Sequence, residues 1–474
     1  MSLYFKQFKK PGLAQLAYLV GDTDAGVAAV IDPCRDIQEY LTAAREAGLR
    51  ISHAIETHIH ADFISGTLEM REALGAEIVG GKTNDYEFDL TQITEGQSIE
   101  LGKVRLEALH TPGHTPEHMS FLLFDSEQGE EPVGVFTGDT LFNLDVGRPD
   151  LVGDDGGNSN AKDLYNSLFK KLLPLGDRIE VYPCHGAGSA CGKSIGDRDQ
   201  TTIGNERKFS EALKERTETE FVEWLLDSMP EPPTHYSRLK KVNAAGASLN
   251  GACFAPPEPL DPEKFEQLAA KSKHLILDTR SMLAFGGGHI KGALNIPLQP
   301  QLVSWAGWML DPETHLLLVV ESERDVMPLR EHLFRIGIDK IDGYLHSGMA
   351  TWQNSARPLE RVTQWTVQEF ERKRKEMDLT ILDVRSDEEW EQGSIPGAIH
   401  QYVPHLRDNI KKVPSDKPLA VYCGTGYRAT IAASILKRHD FEEVINIPGS
   451  WKAWSAANLP VEKKVREMAG KSRG

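Results

Sequence analysis

The pattern of apolar and polar positions in the first half of the chain predicts a mixture of short strands and helices. Two apolar runs, 18–20 and 27–31, flank a glycine-containing turn and predict a β-hairpin. Residues 37–47 and 207–229 carry apolar side chains at helical spacing, and prolines directly after residue 229 end the second predicted helix. This half of the chain is therefore predicted to combine α and β structure.

The second half of the chain repeats itself after a proline-rich segment, 255–259, that predicts a linker. The segment LILDTR at 275–280 matches TILDVR at 380–385, a shift of 380 − 275 = 105 residues. HIKGA at 289–293 matches SIPGA at 394–398 with the same shift. Two copies of about 100 residues that alternate strands with helices predict two α/β domains with parallel sheets.

The length of the chain supports this division. A chain of 474 residues is too long for one core, and about 150 residues per domain gives about three domains. We place their boundaries at 1–252, 259–358 and 363–464. The aspartate and arginine in each D-x-R motif of the repeat are predicted to form structural ion pairs.

Composition excludes several classes of partner. A formal net charge of −17 argues against a nucleic-acid groove or an anionic membrane surface. The first residues lack the apolar core of a signal peptide, and no apolar run approaches about 18 residues, so we expect a cytoplasmic protein without membrane segments. Five cysteines in so long a chain predict free thiols rather than a disulfide framework. They are Cys34, Cys184, Cys191, Cys253 and Cys423.

Side chains that bind metals follow several apolar runs of the first half. His58, His60 and Asp62 come directly after the apolar pair 54–55. Three more candidate ligands come later, each after a short apolar or β-branched run, as expected where a strand delivers one polar side chain at its end. These are His114, Asp139 and His185. The residue types and their order predict a metal centre.

This order of motifs resembles the metallo-β-lactamase superfamily. The segment THIHADF at 57–63 is similar to the H-x-H-x-D-H signature of that family, except that Phe63 stands in place of the last histidine. In the family that histidine helps to hold a second metal ion, and Phe63 has no lone pair to offer. The resemblance therefore implies an αββα sandwich with a single-metal site and open coordination positions, rather than a two-zinc hydrolase.

A second candidate site lies in the last domain, in VYCGTGYRA at 421–429. The glycines let consecutive N–H groups point into one concavity, and the helix predicted at 430–437 adds its positive end, so a thiolate at Cys423 is stabilised. The loop resembles the active-site loop of rhodaneses, which implies that Cys423 carries sulfur as a persulfide and that Arg428 contacts an anion. The implied substrate-binding residues are Gly424, Thr425, Gly426 and Tyr427. A C-x5-R phosphatase, whose loop is one residue longer, and a buried structural cysteine are the alternatives.

The first copy of the repeat lacks this loop. The matching tryptophans Trp352 and Trp454 give a shift of 454 − 352 = 102 residues, which places Glu321 where Cys423 stands in the second copy. The following residues, 322–325, contain neither a glycine nor a nucleophile. We therefore predict an inactive rhodanese-like domain that serves as a spacer or a docking surface.

Over nearly its full length the chain resembles bacterial fusions of a persulfide dioxygenase with rhodanese domains. The resemblance implies that His58, His114 and Asp139 hold one Fe(II) ion as a facial triad, with zinc as the alternative metal. It also implies that neighbouring groups orient the ligands or move protons, with Asp62 or His60 as the candidate general base. His185 belongs to the same group of neighbours.

The implied chemistry has two steps. A low-molecular-weight persulfide of glutathione, coenzyme A or a similar thiol is oxidised by O2 to sulfite and thiol, and Cys423 passes sulfur to sulfite to make thiosulfate. Such a reaction suits sulfide detoxification. Arg148, in DVGRPD at 145–150, matches a family arginine that contacts the thiol carrier, and a surface salt bridge is its alternative role. Related proteins often dimerise, so a homodimer is compatible with the sequence.

Two other functions stay open from the sequence. One is a zinc-dependent thioester hydrolase of the glyoxalase II type coupled to sulfur transfer, which Phe63 argues against. The other is a non-catalytic sulfur carrier in which only Cys423 acts, and the intact set of candidate metal ligands argues against it.

Overall fold

The structure is a computed structural model that divides into two compact units. It describes residues 2–152, 157–227, 229–249 and 255–463. The units comprise residues 1–255 with 331–337, and residues 256–330 with 338–474. Cys253 and the domain ends predicted at 252 and 464 lie outside the described residues.

The first unit contains two six-stranded sheets. The first sheet has the order β1-β2-β3-β4-β5-β6, antiparallel from β1 to β3 and parallel from β3 to β6. These strands are β1 (Leu3–Lys10), β2 (Gln15–Asp22), β3 (Val27–Ile31), β4 (Arg50–Ile55), β5 (Glu77–Gly81) and β6 (Thr91–Ile93). The antiparallel pair β2 and β3 confirms the predicted hairpin.

The second sheet has the order β12-β11-β10-β9-β8-β7 and is antiparallel except between β10 and β11. Its strands are β7 (Ser98–Leu101), β8 (Val104–His110), β9 (Met119–Asp125), β10 (Gly134–Gly138), β11 (Glu180–Pro183) and β12 (Thr201–Thr202). The single parallel pair matters for the site, because the ends of β10 and β11 then lie side by side.

Helices cover the outer face of each sheet. They are α1 (Gln38–Glu46), α2 (Thr67–Leu74), α3 (Asn158–Asn166), α4 (Ile203–Phe209), α5 (Glu218–Leu226) and α6 (His235–Ala245). One apolar cluster joins the inner faces of the two sheets, including Val20 and Ile55 from the first and Phe121 and Phe136 from the second. A second cluster packs α1 on the first sheet, and a third packs α3 and α5 on the other. The four layers confirm the predicted αββα sandwich.

The helix predicted at 207–229 is divided in two, so this prediction is wrong in extent. α4 ends at Phe209, and α5 starts only after Thr217. The Thr217 hydroxyl accepts a hydrogen bond from the Glu220 N–H, while the Glu220 carboxylate accepts from the Thr217 N–H. This capping box starts a new helix and outweighs the continuous apolar spacing. The helix predicted at 37–47 is present as α1.

The second unit contains two five-stranded sheets that are parallel throughout. Their orders, β13-β17-β16-β14-β15 and β18-β22-β21-β19-β20, are the same when each set is counted from its own first strand. The strands are β13 (Pro259–Leu260), β14 (His274–Asp278), β15 (Leu294–Asn295), β16 (His315–Val319), β17 (Ile341–Leu345), β18 (Thr363–Gln364), β19 (Thr380–Asp383), β20 (Ala398–His400), β21 (Leu419–Tyr422) and β22 (Val444–Asn446). The repeat in the sequence is thus a repeat in topology.

Helices alternate with these strands, as predicted for a parallel sheet. They are α7 (Pro262–Ala269), α8 (Met282–Gly287), α9 (Leu302–Met309), α10 (Val326–Arg335), α11 (Gly348–Asn354), α12 (Val367–Lys373), α13 (Asp387–Glu391), α14 (Tyr427–Arg438) and α15 (Ser450–Ala456). Shorter 3-10 or π segments lie at 167–172, 173–175, 323–325, 403–405 and 410–412. No helix in the described part of the chain is both long and apolar enough to span a membrane.

The two D-x-R motifs form the predicted structural ion pairs. Asp278 and Arg280 meet at 2.6 Å, and Asp383 and Arg385 meet at the same distance, with all four side chains buried. Each arginine also donates to a backbone carbonyl eight residues further on. The pair therefore ties the strand end to the loop that follows it.

Sheet register corrects the position assigned to Glu321. Asp278 pairs with Val319 in the first copy, and the equivalent Asp383 pairs with Tyr422 in the second. The next residue, Val320, therefore occupies the place of Cys423. Loops between matching elements differ in length, so one shift does not hold along the whole repeat. Val320 is apolar, and the position still lacks a nucleophile.

Candidate functional site

The candidate metal ligands all follow strands of the first unit. His58 comes after β4, His114 after β8 and Asp139 directly after β10. Strands held in buried sheets fix the start of each loop, so the three side chains approach from different directions but meet at one place. All three are at most 1% exposed.

The three groups converge with the atoms a metal needs. Asp139 Oδ2 lies 3.4 Å from His114 Nε2 and 3.8 Å from His58 Nε2. His58 Nε2 and Asp139 Oδ2 are buried and have no hydrogen-bond partner among the described residues. Ligand atoms bound at about 2.0–2.2 Å to one ion lie about 3–3.5 Å apart. The donor set and its unpartnered atoms therefore fit a metal ion.

Neighbouring groups turn the ligand nitrogens toward this point. The Thr57 hydroxyl donates to the Asp32 carboxylate and so accepts from Nδ1 of His58 at 2.9 Å. Nδ1 of His114 donates to the Arg148 carbonyl at 2.9 Å. Each Nε2 then keeps its lone pair, the arrangement found where second contacts orient metal-bound histidines.

Electrostatics favour the ligand forms of these residues. Burial, together with the nearby His60, lowers the pKa of His58 well below its usual value. Burial also lowers the pKa of His114, although Asp139 opposes the shift. Burial alone would raise the pKa of Asp139, but His185 and His114 hold it below its usual range. Neutral imidazoles and an ionised carboxylate are what a metal binds.

His185, Asp62 and His60 lie around the triad. His185 bridges two carboxylates, with Nδ1 at 2.8 Å from Asp139 Oδ1 and Nε2 at 2.7 Å from Asp62 Oδ2. Burial opposes protonation of His185, but Asp139 and Asp62 raise its pKa well above the usual value. His60 lies 3.0 Å from Asp32. The predicted general base role of Asp62 or His60 stays a prediction.

Phe63 occupies the place where the resemblance would put a further ligand. It is fully buried, and its ring lies 4.3 Å from that of His60 and 6.5 Å from that of His185. An apolar ring here shields the His185 side of the site from water. It also supplies no electron pair, as expected from the sequence.

Several site residues were not found from the sequence. Asp32 follows β3 as His58 follows β4, and this shared position at a strand end was the available signal. His118 Nε2 accepts the Asp139 N–H at 3.0 Å, and burial lowers the His118 pKa to about 3, so it supports the ligand as a neutral ring. Glu117 accepts the Ile59 N–H. No local pattern marked these two, since they lie outside the ligand motif.

Arg148 is an internal residue rather than a surface one. Its guanidinium donates to both oxygens of Asp150, at 2.7 and 2.8 Å, and to the carbonyls of Ala190 and Pro230. It is fully buried, which excludes the surface salt bridge considered as its alternative role. Through its carbonyl it holds His114, while its contact with a thiol carrier stays a prediction.

Cys184 and Cys191 lie beside the metal centre in buried positions. Burial raises the pKa of both thiols well above the usual value, with nearby carboxylates adding to the shift. Neutral thiols are poor nucleophiles, so these cysteines are suited to packing rather than to sulfur relay.

Cys423 stands directly after β21 and four residues before α14, at the centre of the loop predicted from the sequence. The Gly426 N–H donates to its sulfur at 3.1 Å, and its own N–H donates to the Ser450 hydroxyl at 3.1 Å. Gly426 has φ 111°, which favours glycine at this turn. A backbone N–H aimed at the sulfur, followed by a helix N-terminus, stabilises negative charge there.

Arg428 lies at the same loop but is paired with Glu389. Its Nη2 donates to Glu389 Oε1 at 2.8 Å, and its Nη1 donates to the other oxygen. Nη2 also lies close to Gly424. Tyr427 donates its hydroxyl to the Pro297 carbonyl. Substrate contacts of Gly424, Thr425, Gly426, Tyr427 and Arg428 stay predictions.

Comparisons with known proteins agree with this architecture. The metallo-beta-lactamase superfamily model matches residues 11–185, and the rhodanese-like domain model matches 261–355 and 366–457. The persulfide dioxygenase ETHE1 of Mus musculus is 35% identical over 186 residues, which are 38% of this chain and 67% of that protein. The hydroxyacylglutathione hydrolase GloC of Haemophilus influenzae is 29% identical over 211 residues, which are 40% of this chain and 89% of that protein.

A solved structure covers more of the chain. A metallo-beta-lactamase from Staphylococcus aureus is 36% identical, with a TM-score of 0.67, over 73% of this chain and 99% of that one. The fold, the repeated parallel sheets and these relatives lead to one assignment. The chain belongs to the metallo-beta-lactamase superfamily, among the relatives of persulfide dioxygenase, and carries two rhodanese-like domains after that domain.

Proposed function

We propose that this protein oxidises the persulfide of a low-molecular-weight thiol with O2, and that Cys423 transfers sulfane sulfur. The first reaction is RSSH + O2 + H2O → RSH + sulfite + 2 H+. In the second, the Cys423 thiolate takes the terminal sulfur from a persulfide, and sulfite then removes it as thiosulfate. Each transfer breaks one S–S bond and forms one bond to sulfur, with no net oxidation.

One observation carries the first reaction. Two imidazoles and one carboxylate, from His58, His114 and Asp139, converge with unpartnered atoms, and Phe63 removes a ligand for a second ion. These three residues would hold an Fe(II) ion, which would supply the redox chemistry that a reaction with O2 needs. Relatives named persulfide dioxygenase support a reaction with O2, and iron suits that reaction because zinc has no redox chemistry.

The residues around the triad would do the remaining work of this step. Thr57 and the Arg148 carbonyl hold the ligand rings in the tautomer that leaves Nε2 free. His185, held between Asp139 and Asp62, can keep a proton near the reacting sulfur, and Asp62 Oδ1 has no partner among the described residues. Phe63 excludes water from the same side.

O2 uptake tests this proposal. Protein loaded with iron under anaerobic conditions should consume O2 when glutathione persulfide is added, and a His114→Ala variant should not. Cys423→Ser should keep the uptake but release sulfite in place of thiosulfate. A wild-type protein that consumes no O2 with any of several persulfides would overturn the proposal.

The hydrolase relatives favour a second candidate, a zinc-dependent thioester hydrolase coupled to sulfur transfer. Zinc in the purified protein together with cleavage of a glutathione thioester would identify it. The substrates we propose are otherwise small: a persulfide of glutathione, coenzyme A or a similar thiol, O2 and sulfite. We propose a cytoplasmic location, a role in sulfide detoxification and a homodimer as the form to test.

We further propose three working parts, at 1–252, 259–358 and 363–464. The middle one would lack sulfurtransferase activity, because Val320 stands at the position equivalent to Cys423.

A further inference from the structure

Helix α6 lies against the loop that carries the candidate metal ligands. The Asn243 side chain donates to the carbonyls of His60 and Phe63, at 2.8 and 2.7 Å, and accepts the Ser65 N–H at 3.0 Å. About two turns earlier, Tyr236 packs against Ala61 in a small apolar cluster. Both ends of one face of α6 are thus fixed over residues 60–65.

Lys240 lies between these two contacts. It follows Tyr236 by four residues and precedes Asn243 by three, and residues at these spacings share a helix face. The side chain therefore starts from the face that covers the metal loop. Burial is the main cause of the lowered pKa of His114, and the charge of Lys240 adds to that shift.

The ammonium of Lys240 is placed in an unusual way. A lysine near a surface normally covers apolar groups with its stem and keeps its charge in water. Here the residue is partly exposed, but Nζ is buried and has no hydrogen-bond acceptor among the described residues. A buried charge without a partner is costly, and an anion that bound this ammonium would offset that cost.

Nearby polar groups do not saturate this ammonium. Burial lowers the pKa of Lys240, while Glu117 and Asp85 attract its charge from a distance without a hydrogen bond. Glu117 uses one oxygen for the Ile59 N–H, and its other oxygen is also without a partner in the described part of the chain. The hydroxyl of Thr115, next to His114, is in the same state. The His114 side of the site is therefore lined with uncommitted polar atoms.

Arg148, unlike Lys240, has a cationic group that is already hydrogen-bonded. Its carbonyl accepts a hydrogen bond from His114, but four hydrogen bonds to Asp150, Ala190 and Pro230 occupy its guanidinium. An incoming anion would have to break a buried ion pair to reach it. Lys240 has no hydrogen bond from its ammonium among the described residues, so it would break none on binding the same anion.

We propose that Lys240 binds a carboxylate of the thiol that carries the persulfide and so selects anionic carriers such as glutathione. The inference rests on the persulfide function proposed above. It assigns to Lys240 the carrier contact that the sequence assigns to Arg148. The terminal sulfur of the persulfide is the other anion that could meet this ammonium, and the test separates the two.

The test compares two persulfides in the iron-loaded protein, one of glutathione and one of its diethyl ester, which lacks the carboxylate charges. A charge-assisted hydrogen bond corresponds to a change of about 10- to 100-fold. We therefore expect Lys240→Met to raise KM for glutathione persulfide by that factor, with kcat changed little, and to leave KM for the ester unchanged. Lys240→Arg should restore most of the affinity, because it keeps the positive charge.

Lys241 provides the matched control, since it is the exposed neighbour of Lys240 on the same helix. Lys241→Met should leave both substrates unaffected. Equal losses for both persulfides in Lys240→Met would place the ammonium on the sulfur and overturn the proposal, as would no loss for either. If Lys240→Met fails to fold, the affinities of the wild-type protein for two ligands provide the test. It should bind S-methyl glutathione about tenfold or more tightly than the diester of that ligand, and equal affinities would overturn the proposal.

Equilibrium binding separates failure of this proposal from failure of the proposed function. Calorimetry with S-methyl glutathione needs no turnover. Suppose that the wild-type protein oxidises no persulfide but binds S-methyl glutathione, and that Lys240→Met does not bind it. The proposed function then fails and the carboxylate contact stands. If the wild-type protein oxidises persulfide while Lys240→Met binds the ligand as tightly, the contact alone fails.

Discussion

One buried side chain of α6 makes the hydrogen bonds to the metal loop described above, and Asn243→Ala removes them. Asn243 is 3% exposed and makes three hydrogen bonds to the backbone of residues 60–65. Its loss leaves two carbonyls and one N–H buried without partners, at about 1 kcal/mol each as a lower estimate, or about 3 kcal/mol in all. For a unit of this size about 1 kcal/mol lowers Tm by about 2–4 °C, so a decrease of about 6–12 °C is expected.

Differential scanning calorimetry of the metal-loaded protein can follow the transition of the first unit. Metal affinity, measured by competition with a chelator, should fall by about 10- to 100-fold, because the loop that Asn243 holds also carries His58 and its neighbours. Asn84→Ala, at an exposed position, is the control and should change neither quantity. A Tm within about 2 °C of the wild-type value with unchanged metal affinity would show that α6 does not hold the loop.

Three further outcomes are expected. Gly147→Ala should lower metal content at least about tenfold, because the new methyl group would lie 1.8 Å from the carbonyl oxygen of the ligand Asp139; Gly287→Ala, where there is open space, is its control. Cys423→Ser should abolish thiosulfate formation from persulfide and sulfite while the first unit keeps its metal. Burial raises the pKa of Glu389, but Arg428 lowers it below the usual 4.5, so the pair stabilises above about pH 4.5 and is lost as pH falls further. Glu389→Gln should therefore make thermal stability of the second unit less dependent on pH below about 4.5, and an unchanged dependence would contradict this reasoning.

The candidate ligands could be predicted because the signal is local. Each of His58, His114 and Asp139 stands within a few residues of an apolar run, and a strand that ends in a sheet delivers its next polar side chain to the sheet edge. The nucleophile is local in the same way, since Cys423 is followed by the glycines that turn its loop. In both places the residues that determine the local structure are neighbours in sequence of the residues that would carry out the chemistry.

The groups that support these residues could not be predicted, because their partners are far away in the chain. Asn243 meets His60 across 183 residues, and His185 meets Asp62 across 123. The sequence of α6 does not indicate which loop this helix will meet. The helix predicted at 207–229 is wrong in extent for a related reason. The capping box at Thr217 outweighs the apolar periodicity and decides where α5 begins.

The first copy in the second unit has a physical role despite its missing nucleophile. Its Asn295 accepts a hydrogen bond from the Thr430 hydroxyl at 2.7 Å, and its Pro297 carbonyl accepts from the Tyr427 hydroxyl at 2.8 Å. Tyr427 and Thr430 both lie in the first turn of α14, directly after the Cys423 loop. That turn provides the helix N-terminus that stabilises charge on the sulfur, so its position has to be fixed. The first copy supplies two of the contacts that fix it, which gives a reason for a copy without the cysteine to accompany the copy that has it.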